Sequence, residues 1–104
     1  MSTQSGDESK YTLEYHTAED RDPQGPPFKY RTHYLDDAVA EAARHDQAGG
    51  RVLRVTRGGQ VVFGEEELRR VLARVSEFAT RQPGLDLREG AALALRERGE
   101  AAGA

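Results

Sequence analysis

The side chains best placed for contact chemistry are basic and aromatic. Lys29 and Arg31 alternate along the run Phe28-Lys29-Tyr30-Arg31-Thr32-His33-Tyr34, while Arg54 and Phe63 lie on two β-rich runs that flank Gly58-Gly59. Cations set around an aromatic ring attract phosphates by charge and hold bases by stacking, which suits single-stranded nucleic acids. His33 and Tyr34 extend the set, tyrosine being a common anchor of protein interfaces. The candidate partner-binding residues are therefore Lys29, Arg31, His33, Tyr34, Arg54 and Phe63.

Other chemistries find little support. No two of His16, His33 and His45 stand at helical ligand spacing, and no cysteine assists them, so neither a metal nor another cofactor is expected. Ser2, Ser5 and Ser9 fall in the polar N-terminal stretch and Ser76 in a helical pattern, away from any strand-to-helix elbow. Gly58-Gly59 is followed neither by Lys-Ser/Thr nor directly by a helix, which removes a phosphate-loop reading. With no catalytic constellation, the chain is read as non-enzymatic.

These residues depend on the elements that carry them. Arg51–Phe63 is two β-rich runs joined by Gly-Gly, and type I′ turns need the positive φ that only glycine reaches without steric cost, so a hairpin is expected. Two earlier runs alternate strictly. Tyr11, Leu13 and Tyr15 share a face opposite Thr12, Glu14 and His16, and Phe28, Tyr30, Thr32 and Tyr34 oppose Lys29, Arg31 and His33. Between these runs, residues 17–27 hold three of the four prolines, a composition that resists pairing and predicts a long exposed loop and second contact element.

Leu35, Ala38, Val39, Ala42 and Ala43 recur at helical steps, with Asp36-Asp37 to cap or charge the start and Gly49-Gly50 to stop it. Leu68, Val71, Leu72, Val75, Phe78 and Ala79 form the stripe of a second helix opened by Glu65-Glu66-Glu67. Asp86 and Glu89 resemble a capping box ahead of a third helix, thin in apolar residues and interrupted by Gly90. That helix is expected to dock loosely, extend away or order against a partner.

The resulting expectation is an α+β two-layer sandwich: a four-stranded antiparallel sheet in ββαββα order, with two helices on one face and a marginal C-terminal third helix. Residues 10–82 form its one domain, residues 1–9 a disordered tail, and residues 83–104 the short helix and a disordered end.

Strict alternation away from Gly58-Gly59 sets Arg57 opposite Gln60, Thr56 opposite Val61, Val55 opposite Val62 and Arg54 opposite Phe63. Leu53, Val55 and Val62 then join Leu13, Tyr15, Phe28 and Tyr30 beneath the helices. Val52, Thr56 and Val61 turn outward, and the open face carries Thr12, Glu14, His16, Lys29, Arg31, His33, Arg54 and Phe63.

Charge narrows the partners further. The net charge is −3, yet twelve Lys/Arg balance twelve Asp/Glu between residues 10 and 82, which argues against both a duplex-DNA footprint and a uniformly acidic surface. No apolar stretch approaches the roughly 20 residues of a membrane span. With no leader-like segment and no cysteine, a cytoplasmic location is expected. In size and composition the chain resembles small accessory proteins that occupy a partner's surface, phage-encoded inhibitors of host defence among them. The expected function is a non-enzymatic protein-binding module, an adaptor or inhibitor, with single-stranded nucleic-acid binding through the open sheet face as the alternative. An unblocked edge strand would also allow a homodimer.

Overall fold

The computed structural model describes residues 10–22 and 24–99, so the expected tails over residues 1–9 and 100–104 lie outside the described residues. The chain forms β1 (Tyr11–His16), β2 (Phe28–Thr32), α1 (Leu35–Gln47), β3 (Arg51–Arg57), β4 (Gln60–Phe63), α2 (Glu65–Arg81) and α3 (Leu87–Glu97). The strands make one antiparallel sheet in the order β2-β1-β3-β4, an α+β arrangement of the expected kind. Gly58 and Gly59 both have positive φ (57° and 84°), as a tight β3–β4 turn demands.

Two interruptions of the ladder decide which side chains are buried. Between β1 and β3, Glu14 faces Arg54 but Tyr15 faces Val52, so Leu53 is an extra residue. Between β3 and β4, Thr56 faces Val61 but Val55 faces Phe63, so Val62 is extra. Each inserted residue resets the two-residue alternation, as a β-bulge does. Val52, Val55 and Phe63 consequently all join the core with Tyr11 and Leu13. This corrects the pairing of Val55 with Val62 and of Arg54 with Phe63, and it moves Val52 and Phe63 from the open face to the covered one. Leu53 and Val62 end half-buried.

The helices cover that apolar side. α1 packs on β1, β2 and β3, and α2 on β3 and β4. Ala38, Ala40, Ala42 and Ala43 are all buried on α1, because its other flank carries α3. An alanine surface lets helices approach closely, at the cost of little apolar area per residue. α2 contributes Leu68, Val71, Leu72 and Val75 to the core.

α3 is firmly docked against both α1 and α2, burying Gly90, Ala91, Ala94 and Leu95. The Asp86/Glu89 capping box forms: the Glu89 amide donates to Asp86 Oδ1 at 2.9 Å and the Asp86 amide to Glu89 Oε1 at 3.3 Å. Gly90 costs helix propensity, but a Cβ there would stand 3.3 Å from Val75 Cγ1, so its lack of a side chain permits the close crossing. Polar ties reinforce the docking, Arg74 and Arg98 of the α2–α3 pair reaching Glu97 and Glu67, and Arg88 reaching Asp36 on α1.

Leu95→Ala is expected to lower the unfolding free energy by about 2–5 kcal/mol in a urea titration, the usual cost of emptying a core leucine site. A loss below about 0.5 kcal/mol, typical of a surface position, would show that α3 lies outside the cooperative core.

Candidate functional site: the open face of the sheet

With the apolar side roofed, the reverse of the sheet presents two cross-strand rows. Lys29, Glu14 and Arg54 stand abreast on β2, β1 and β3, and Arg31, Thr12, Thr56 and Val61 form the neighbouring row across all four strands. Arg54 Nη1 donates to Glu14 Oε1, which neutralises the centre of the first row. Lys29 and Arg31 are exposed, and neither makes an ion pair among the described residues.

The contrast with the helical layer is sharp. Arg44, Arg69, Arg70, Arg74, Arg88 and Arg98 each pair with a carboxylate. Arg51, at the start of β3, binds Glu65 through two nitrogens at 2.9 and 3.1 Å, and this bond holds the Glu65 carboxyl below its ordinary range. Exposed pairs of this kind contribute only about 0–1 kcal/mol each. Their larger effect is to cancel the helical charge and leave the positive excess on the sheet.

Of the six candidate residues, Lys29, Arg31 and Arg54 therefore share the open face. His33 and Tyr34 lie past the end of β2, which stops at Thr32 rather than running on to Tyr34. The Tyr34 amide donates to Thr32 Oγ1 at 3.3 Å and Tyr34 becomes the N-cap of α1, so the alternation of the sequence continues after the ladder has ended. Both side chains remain exposed, in edge-to-face contact at 6.5 Å, with the Arg88 guanidinium 5.1 Å from the Tyr34 ring centre. Phe63 departs altogether: it is 1% exposed beneath the helices, with Arg98 5.4 Å from its ring centre. The open face thus has no aromatic stacking platform on its central strands.

His16, expected to point outward among polar neighbours, is buried. Its Nδ1 lies 2.5 Å from Asp20 Oδ2, and this bond, with one from the Asp22 amide, lowers the Asp20 carboxyl. The chain after β1 thereby folds back over the end of its own strand. His45 stacks on Tyr15 at 3.9 Å and bonds Glu41 at 3.0 Å, so the three histidines occupy three separate settings.

Phe28, expected beneath the helices, is instead 50% exposed although its ring meets Tyr15 at 5.8 Å. It begins an edge strand, where no further strand covers its outer side. The only sequence signal for this was its position directly after Pro26-Pro27. On the same strand the Tyr30 hydroxyl donates to Asp37 Oδ2 at 2.8 Å, fastening β2 to the first turn of α1. Elsewhere, Ser76, Glu77, Thr80 and Arg81 line a shallow open depression of about 330 Å³ on α2.

Compared with protein-family models, with curated proteins and with solved structures, the chain matches none.

Phe63→Ala should cost about 3–5 kcal/mol of stability, as for a buried aromatic, whereas Arg31→Ala should stay within about 0.5 kcal/mol. Equal losses in chemical denaturation would contradict the assignment of the two residues to opposite faces.

The bond to Asp37, assisted by burial and by the Asp37 charge, raises the Tyr30 phenol above its ordinary value. Because the folded pKa is the higher one, this stabilisation is complete below the ordinary phenol value of about 10 and is lost as pH rises through the folded one. Asp37→Asn should move one phenolate transition to lower pH in an ultraviolet titration; an unchanged curve would exclude the bond.

Proposed function

We propose that this chain is a non-enzymatic protein-binding module, an adaptor or inhibitor, that receives an acidic partner surface on its open sheet face. The observation that carries the reading is the uneven pairing of cations. The helices cancel most of their arginines internally, while Lys29 and Arg31 remain exposed and unpaired among the described residues on the open side of the sheet. Such a patch speeds encounter with an anionic surface and selects against a cationic one. Phe28, 50% exposed on the helix side at the start of β2, and Tyr34, 47% exposed just past its end, add anchors along the same edge of the sheet. Within this reading the partner is met in the cytoplasm; no helix among the described residues is long and apolar enough to cross a membrane.

Single-stranded nucleic acid is the competing occupant of the same cations. Base stacking is a main source of affinity in such complexes, at about 1–3 kcal/mol per base, and the burial of Phe63 takes the expected stacking residue out of the open face. The protein reading is therefore the stronger.

The joint variant Lys29→Glu, Arg31→Glu should lose the protein captured by the wild-type chain from source-cell extract, while Arg70→Glu on the helical side keeps it. Identical captured sets for all three proteins would overturn the assignment. A single-stranded oligonucleotide titrated at low and high salt should show no steep, salt-sensitive binding; a steep slope would put the alternative in its place.

A further inference from the structure

The two ends of the sheet are not equivalent. β4 is only four residues long and carries the extra residue Val62, a combination that twists and blunts an edge. β2 keeps five consecutive pairs with β1 without a register shift, has no proline within it, and has no strand on its outer side among the described residues. An edge of this kind offers a row of unpaired amide and carbonyl groups to an incoming strand.

Its side chains select the incoming strand. Antiparallel pairing with a second copy centred on Tyr30 would set Lys29 against Arg31 of the copy on both sides of the axis, and like charges directly opposite are destabilising. The same two cations favour carboxylates on the open-face side of an added strand. The helix side differs: Phe28 is half exposed there, and Tyr30 leads to the carboxylate of Asp37. Apolar side chains fit that side, and acidic ones are disfavoured. Resting on the protein-binding reading above, we infer that the β2 edge takes an extended segment of a partner protein as a fifth strand, with acidic residues at alternate positions and apolar residues between them.

The probe is a short blocked peptide alternating Glu and Val, titrated into the isotopically labelled full chain. Binding should protect amides of Phe28–Thr32 from hydrogen exchange. N-methylation of the alternate peptide amides that face β2 should abolish binding, while methylation of the intervening set leaves it intact. Lys29→Glu with Arg31→Glu should weaken binding by about tenfold or more, since two favourable cross-strand pairs become unfavourable.

Binding that survives both methylations would place the peptide on the face and not the edge, overturning the fifth strand while leaving the protein-binding proposal standing. No binding of the peptide would also overturn it, the broader proposal then being judged by the capture of partner with and without charge reversal. Equal affinity for a Lys/Val peptide would remove charge as the selector and overturn the inference. So would a concentration-dependent dimer with protected β2 amides in the absence of peptide, which would make a second copy the occupant.

Discussion

Burying Val52, Val55 and Phe63 on one side of the sheet is the requirement from which the rest of the structure follows. Strict alternation cannot do it, because Val52 and Val55 are three residues apart and Phe63 would face Arg54. The sheet resolves the conflict with one extra residue in each ladder of β3, Leu53 against β1 and Val62 against β4. The energetic logic favours this. A broken ladder position loses about 0.5–1.5 kcal/mol of net hydrogen bonding, whereas an exposed phenylalanine and valine forgo burial of about 1.5–3 kcal/mol each.

The same economy of space governs the helices. α1 is lined with alanine on both flanks because it lies between the sheet and α3, where a larger side chain would hold the layers apart. Gly90 performs the equivalent service on α3 against Val75. What reads locally as a weak helix, poor in apolar bulk and broken by glycine, is a helix shaped for a narrow place. The thin C-terminal pattern therefore contributes Ala91, Ala94 and Leu95 to the core through two neighbours already in position.

Charge follows from the layering. Helices bring carboxylates and guanidinia together at short spacing along their own length and across α2 and α3, so much of their charge cancels internally. The sheet has one acidic residue, Glu14, between Lys29 and Arg54, and nothing acidic beside Arg31 in its row. The flat side thus keeps a positive excess in a chain whose net charge is negative. Its regular margin at β2 and its blunted margin at β4 give that excess a direction.

Period and turn chemistry alone determined the class and order of the elements: alternation marked β1 and β2, Gly58-Gly59 the hairpin, the apolar stripe α2, and Asp86 with Glu89 the start of α3. They also put Lys29, Arg31 and Arg54 on one face, since the first two lie on a ladder free of bulges and Arg54 lies between the two interruptions of β3, opposite Glu14. Only the tertiary structure decided the placement of Phe63, the burial of His16 against Asp20, the exposure of Phe28 and the docking of α3. A bulge has no local signature here, because Leu53 and Val62 are as suited to a regular strand as their neighbours. Its position is set by what the helices above must cover, and that competition among distant side chains for a small core is not written in any single stretch of the chain.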